Sequence, residues 1–185
     1  MEEKRRVRMT KRIIKETLTE MLLNEPIDKV TVTNLCQRAD VNRSTFYSHF
    51  ETLNDVLNDI EKEFCENVSY ISYARSKAQN RADFLRYMHY IEAHRDTMLV
   101  LLKNGRIIDQ ISQKSMSLFM TEQPLADARE QIKHGFYIRY ACSGTYRFLE
   151  EWLKYPEAFT ADEAADIVLE IAEGISKIER IHIQR

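Results

Sequence analysis

Glycine is scarce in this chain, which has only four among its 185 residues. A phosphate-binding loop or a dinucleotide-binding fingerprint needs two or three glycines within about eight residues. Gly105, Gly135, Gly144 and Gly174 stand at least nine residues apart, which excludes the common nucleotide-binding loops. A sheet-rich fold is disfavoured as well, because it would need many tight turns, where glycine is common.

Cysteine pairs and long apolar runs are also lacking. Cys36, Cys65 and Cys142 are widely spaced and form no CxxC motif, a pattern typical of reduced thiols in a cytosolic protein. The longest uninterrupted apolar run, residues 98–102, is far short of the ~20 residues that span a bilayer. No apolar stretch follows the charged N-terminus as it would in a signal peptide. We therefore expect a cytoplasmic protein without a membrane partner.

Catalytic and metal-binding patterns are weak. His89 and His94 are five residues apart, about 140° around a helix, so they would not converge on one ion. Ser44, Thr45 and His49 share one predicted helix, and the sequence supplies no buried acid to orient the histidine as a base. We expect no enzymatic activity, no metal and no cofactor.

Helical periodicity dominates the sequence, because apolar residues recur at spacings of three and four nearly everywhere. This pattern predicts an all-α fold. The predicted helices span about residues 9–24, 32–39, 43–50, 53–71, 81–94, 96–103, 106–120, 125–154 and 161–181.

The segment from 31 to 50 predicts a helix-turn-helix. Thr31 and Asn42 can each cap a helix by accepting a hydrogen bond from a backbone amide. Each is preceded by a valine that faces an apolar residue inside the helix, a hydrophobic staple: Val30 with Leu35, and Val41 with Phe46. Of the residues between these two helices, Asp40 is the candidate for a positive φ, because its short polar side chain tolerates the left-handed region.

Polar side chains occupy the exposed face of the second of these helices, without any acidic residue among them, as entry into a major groove requires. They are Arg43, Ser44, Thr45, Tyr47, Ser48 and His49. Residues 1–15 carry seven basic side chains against two acidic ones, although the whole chain has a net charge of −2. Such a basic arm attracts phosphates. The alternative is a helical hairpin whose polar face is only solvated.

The run from Thr10 to Phe64 resembles the DNA-binding domain of TetR/AcrR-type transcriptional regulators. Residues 32–36 match the second helix of that pattern, and residues 43–50 match its recognition helix. The remaining chain resembles the family only in outline. Its overall pattern is most similar to the subgroup that includes regulators of dihydroxyacetone kinase operons. The resemblance implies a helix-turn-helix domain at 1–51, joined by a long helix to a helical regulatory and dimerisation domain within 52–185.

By this resemblance, a set of side chains would contact bases or phosphates of double-stranded DNA: Arg5, Arg6, Arg8, Thr33, Arg43, Ser44, Thr45, Tyr47, Ser48, His49 and Thr52. Two positions depart from the family pattern. Asp40 stands where the turn usually has glycine, and Leu53 stands where a phosphate-binding lysine is usual. The second departure should weaken DNA binding or move that contact to Thr52 or Asn54.

The last two predicted helices are apolar on more than one side, so they need two surfaces to pack on. A second subunit would supply one of them in a twofold four-helix interface. The candidate interface residues are Gly144, Phe148, Trp152, Val168, Ile171 and Ile175. Gly144 lies mid-helix, which usually marks a close helix approach. The alternative is ordinary packing within the chain.

Aromatic and methionine side chains are concentrated between residues 84 and 152, and such residues line ligand cavities. The candidates for an apolar effector pocket are Phe84, Tyr87, Met88, Met116, Phe119, Tyr137 and Tyr140. For each of them the alternative is plain core packing. We expect a homodimer that binds a palindromic operator, most simply as a repressor, and responds to a small molecule. The alternative function is a helical adaptor or co-activator that binds a partner protein.

Overall fold

The computed structural model describes residues 2–68, 77–105, 107 and 127–183. These residues are helical and contain no strand, which confirms the all-α prediction. The helices are α1 (Glu2–Asn24), α2 (Val32–Arg38), α3 (Arg43–Tyr47), α4 (Leu53–Val68), α5 (Lys77–Ala93), α6 (Arg95–Lys103), α7 (Ala128–Lys154) and α8 (Ala161–Ile183), with a short 3₁₀ turn at Ile27–Lys29. None of the described helices is long and apolar enough to cross a membrane.

Three predicted helix starts differ from the structure, those of α1, α5 and α7. α5 begins at Lys77 instead of residue 81. α1 begins at Glu2 instead of residue 9, because Glu2 and Glu3 favour a helix start and the basic residues after them are good helix formers. α7 begins at Ala128 instead of 125, where the Asp127 carboxylate accepts hydrogen bonds from two amides of the first turn (2.8 and 2.9 Å). The helix predicted at 106–120 lies outside the described residues, apart from a helical Ile107.

The first three helices pack around one apolar centre. Ile14 and Leu18 on α1 are fully buried, as are Leu35 on α2 and Phe46 on α3. Both predicted staples lie here, since Val30 is buried and Val41 packs against the same cluster. The buried side of α1 thus packs against the two short helices α2 and α3, neither of which is long enough to be stable alone.

α1 also packs against helices from later in the chain. The fully buried Met98 and Leu101 lie on α6, which runs along α1. The Lys103 ammonium donates to the carbonyl oxygen of Leu22 (3.5 Å). From α4, Asp59 pairs with Lys15 at 3.6 Å. The buried apolar side chains of these helices therefore form one continuous cluster with those of the helix-turn-helix.

The C-terminal helix is held mainly by α5. The Arg81 guanidinium forms a two-pronged ion pair with Asp166 (2.7 and 3.0 Å), and Ala164 and Ala165 bring the α8 backbone close. α7 packs on the same helix. The Trp152 indole N–H donates to the carbonyl oxygen of Phe159 at 2.8 Å, which ties the end of α7 to the turn before α8.

Candidate nucleic-acid interface

The turn between α2 and α3 is built around Asp40, whose φ is 51°. The Val41 amide donates to the Cys36 carbonyl (3.0 Å), and the Ala39 amide donates to the Leu35 carbonyl (2.9 Å). A bond of the first kind across a left-handed residue is a Schellman helix end, in which glycine is the usual residue. The predicted positive φ at Asp40 is confirmed.

The two helix caps differ. The Thr31 hydroxyl accepts a hydrogen bond from the Asn34 amide at 3.1 Å, which confirms the first predicted cap. Asn42 occupies the cap position of α3 with extended backbone, but its side chain makes no capping bond, so this prediction was wrong. At the C-terminal end of α3, the amides of Ser48 and Phe50 donate to the carbonyl oxygens of Ser44 and Phe46.

α3 has one apolar, buried side and one polar, exposed side. Phe46 and Phe50 are buried, with ring centroids 6.0 Å apart. Tyr47 is exposed, and its ring stands edge-on against Phe46. The remaining polar candidates are divided between exposed and half-buried positions: Thr33 on α2, Arg43, Ser44 and Ser48 are exposed, whereas Thr45 and His49 are half-buried. No acidic side chain lies on α3 itself.

Two of these side chains have local partners. The Ser48 hydroxyl donates to the Thr45 carbonyl at 2.7 Å. Arg43 lies close enough to Cys36 for its charge to affect the thiol, whose pKa is raised by burial and partly lowered again by the guanidinium. The thiol therefore stays protonated and apolar in the core at neutral pH.

The basic residues at the N-terminus are part of a helix and not of an extended arm. Arg5, Arg6 and Arg8 are exposed on the first turns of α1. Further along α1, Lys15 forms ion pairs with Asp59 and Glu63 of α4, which neutralise its charge. Positive charge on α1 is therefore concentrated towards its N-terminal half.

The start of α4 is closed by its own side chains. The Thr52 amide and hydroxyl both donate to the Asp55 carboxylate (2.8 and 2.9 Å), and the Asp55 amide donates back to the Thr52 hydroxyl (3.2 Å). This is a capping box. Leu53 is half-buried against the core. The Thr52 hydroxyl is thus engaged by the Asp55 carboxylate, and Thr52 stays a predicted DNA contact.

The effector-pocket candidates do not share one environment. Phe84, Tyr87 and Met88 are buried on α5, and Tyr137 is half-buried on α7. Tyr140 is 74% exposed, so it does not share the buried environment of the three α5 side chains. Met116 and Phe119 lie outside the described residues.

The predicted dimer face also needs correction. Trp152 and Val168 are buried in the chain's own core, and Phe148 packs half-buried against it. The prediction failed for these side chains because periodicity shows that a helix is apolar on several sides but not which side faces its own chain. Gly144 and Ile171 are exposed, and the side chain of Ile175 is outside the described part.

An exposed apolar row on α7 was missed. Ile132, Phe136 and Tyr140 are 62%, 67% and 74% exposed and follow one another at a spacing of four residues. That spacing is visible in the sequence, but periodicity alone does not show that this side of the helix faces away from the rest of the chain. A Cβ placed on Gly144, near its end, would meet no described atom within 4 Å, so the expected close helix approach does not occur within the described chain.

Comparisons with known proteins identify the fold. Neither a protein-family model nor a curated protein matches the sequence. A tetR-family transcriptional regulator from Streptomyces coelicolor has a similar structure, with a TM-score of 0.66 and 11% identity, covering 95% of this chain and 83% of that one. The dihydroxyacetone kinase operon activator DhaS is similar with a TM-score of 0.55 and 16% identity, covering 91% of this chain and 97% of that one. The chain therefore has the fold of TetR-family transcriptional regulators.

Proposed function

We propose that this protein is a cytoplasmic, dimeric DNA-binding regulator of transcription that inserts α3 into the major groove of a palindromic operator. The observation that carries the proposal is the exposed face of α3, which offers Arg43, Ser44, Tyr47 and Ser48 without an acidic side chain. Arginine, serine and tyrosine at such a face recognise base edges and phosphates. The fold shared with other TetR-family regulators supports the same function.

The dimer is supported by the exposed row Ile132, Phe136 and Tyr140 on α7, together with Ile171 on α8. Large apolar side chains that follow one helix face at this exposure usually mark an interface. A second copy presents the same row, so a twofold axis would pair the two rows in a self-complementary contact. The two copies of α3 would then reach successive major grooves, about 34–36 Å apart.

Effector control is supported by continuity of the core. Phe84, Tyr87 and Met88 on α5 belong to the same buried cluster as Met98 on α6, and α6 packs along α1. A small apolar or aromatic molecule bound among these side chains would shift helices that touch the DNA-binding unit. We propose repression, relieved by this molecule, when the operator overlaps a promoter.

A second candidate function is a helical adaptor that binds a protein. The Thr52–Asp55 capping box favours it, because a carboxylate at the start of α4 repels phosphate. The half-buried Leu53 beside the box offers no cation to offset that charge.

The deciding experiment uses the intergenic DNA that flanks the gene of this protein. Purified full-length protein is titrated into the labelled fragment and into a shuffled fragment of equal length and composition, and DNase footprinting locates the protected bases. We expect a protected inverted repeat, and a reporter downstream of it that is repressed. Equal binding of both fragments, or none at low salt, would reject the regulator and leave the adaptor as the function to pursue.

A further inference from the structure

The Lys11 ammonium lies over the face of the Phe50 ring, 4.9 Å from its centroid. A cation at this distance from an aromatic face is attracted by the ring quadrupole. Phe50 is buried, and its ring packs against that of Phe46 with the centroids 6.0 Å apart. The contact therefore holds the charge of Lys11, from α1, beside the end of the recognition helix.

Lys11 differs from its neighbours on α1 in having no acidic partner. Arg12 pairs with Glu16 at 3.6 Å, and Lys15 is bound by Asp59 and Glu63. Within the described part of the chain, Lys11 makes no ion pair, and the ring of Phe50 leaves its charge uncompensated. Lys11 is half-buried, and no acidic side chain of the described chain competes with an external anion for its ammonium.

Lys11 lies beside the C-terminal end of the recognition segment. α3 itself ends at Tyr47, and a turn leads on to Phe50, whose amide donates to the Phe46 carbonyl at 3.0 Å. A recognition helix reads base edges with its N-terminal residues, which here begin with Arg43. Lys11 is therefore at the opposite end of the segment, where a cation can meet a phosphate of the DNA backbone.

We propose that Lys11, held by the Phe50 ring, is a DNA-phosphate ligand of this protein. It supplies the cation that the start of α4 lacks, where Thr52 and Leu53 offer none and Asp55 adds a negative charge. The inference rests on the DNA-binding function proposed above and adds a residue that the helix-turn-helix pattern alone did not indicate.

The test measures binding of full-length protein to a fluorescein-labelled random duplex of about 25 base pairs, from 50 to 200 mM KCl, by anisotropy. Removal of one phosphate-binding cation should make the log–log salt slope less steep by about 0.9. The affinity deficit of Lys11→Gln should accordingly shrink about 3-fold across this range. Lys11→Arg keeps the cation and the ring contact, so it should keep the slope of the unmodified protein.

Arg12→Gln is the matched control, because it removes the next cation on the same helix, one already paired with Glu16. It should leave the slope unchanged. An unchanged slope in Lys11→Gln, or an equal change in Arg12→Gln, overturns the inference. If the unmodified protein itself shows no salt-dependent binding, the proposed function fails instead.

Nuclear magnetic resonance tests separately whether the Phe50 ring holds Lys11. In the protein without DNA, the ε-methylene protons of Lys11 should resonate upfield of the other lysines because of the Phe50 ring current. Phe50→Leu should abolish that shift, and in this background Lys11→Gln should cost less affinity than it does alone. An ordinary chemical shift for Lys11 in the folded protein contradicts the ring-held arrangement, and it does so even if Phe50→Leu fails to fold.

Discussion

The Val41 amide donates to the Cys36 carbonyl across Asp40, and this bond sets the angle at which α3 leaves α2. Asp40 holds φ at 51°, a conformation that costs an L-residue roughly 1–2 kcal/mol and glycine almost nothing. The helix-turn-helix therefore folds around a residue that is tolerated there but not optimal.

Asp40→Gly should stabilise the protein by about 1 kcal/mol or less, since relief of strain is partly offset by the larger entropy of glycine in the unfolded chain. For a chain of this size that corresponds to a rise of at most roughly 2–4 °C in the thermal midpoint. Asp40→Ala is the control and should lower the midpoint, because alanine carries a Cβ without the local hydrogen bonding of aspartate. A lower midpoint for the glycine variant would contradict this account of the turn.

Thr31→Ala and Asn42→Ala should differ in their cost, although the two residues occupy equivalent positions. Thr31 accepts the Asn34 amide, and loss of such a cap costs about 1 kcal/mol. Asn42 makes no capping bond, so its replacement should cost only a few tenths of that. Urea unfolding of the two variants measures the difference in the free energy of unfolding. Equal losses would mean that Asn42 caps α3 in solution after all.

The starts of α2 and α3 show what the sequence could predict and what it could not. The spacing of valine, cap residue and apolar partner predicted both helix starts, because it depends on local periodicity alone. Whether the side chain turns towards the amide depends on its rotamer and on the surrounding chain, which the spacing does not contain.

The C-terminal helices show a second kind of limit. The sequence showed that α7 and α8 are apolar on more than one side. It could not assign Trp152 to the chain's own core, because that depends on the turn that brings the Phe159 carbonyl to the indole. The sequence likewise could not show that Tyr140 belongs to the exposed apolar row of α7. The domain division at residues 51 and 52 stays a prediction.

Acid should weaken the start of α8 through Glu163. Its carboxylate accepts from the Thr160 amide and hydroxyl (both 2.9 Å), and these bonds hold its pKa below the ordinary value of 4.5. A carboxyl whose pKa is lowered by folding stabilises the native state above its unfolded pKa, and this contribution disappears as pH falls through the folded value. The thermal midpoint of the unmodified protein should exceed that of Glu163→Gln at neutral pH. This difference should shrink below about pH 4.5.

A difference in thermal midpoint between the unmodified protein and Glu163→Gln that is the same at pH 7 and pH 3 would contradict this account. It would show that the Thr160–Glu163 capping box is open in solution.

Phe136→Glu should dissociate the proposed dimer. The side chain is 67% exposed in the single chain, so a glutamate there costs the monomer little but would place two charges at the twofold contact. Light scattering at micromolar concentration should give about twice the 21.9 kDa chain mass for the unmodified protein and the single mass for the variant. Trp152→Phe should instead keep the dimer and lower the thermal midpoint, because it removes the partly buried hydrogen bond to the Phe159 carbonyl. A Phe136→Glu dimer would place the interface elsewhere.

Removal of residues 1–8 and the substitution Arg43→Ala should separate affinity from specificity. Arg5, Arg6 and Arg8 are exposed on the first turns of α1, and phosphate contacts by such arginines carry no sequence information. Their removal should flatten the salt slope by about 0.9 for each phosphate that is no longer neutralised, and it should weaken binding to all sequences alike. Arg43→Ala should relax preference at one base position in each half-site, at a cost of about 1–3 kcal/mol on the preferred sequence. Both are measured by titrating the footprinted site and its single-base variants at several salt concentrations. A truncated protein with an unchanged slope would mean that the first two turns of α1 do not touch DNA.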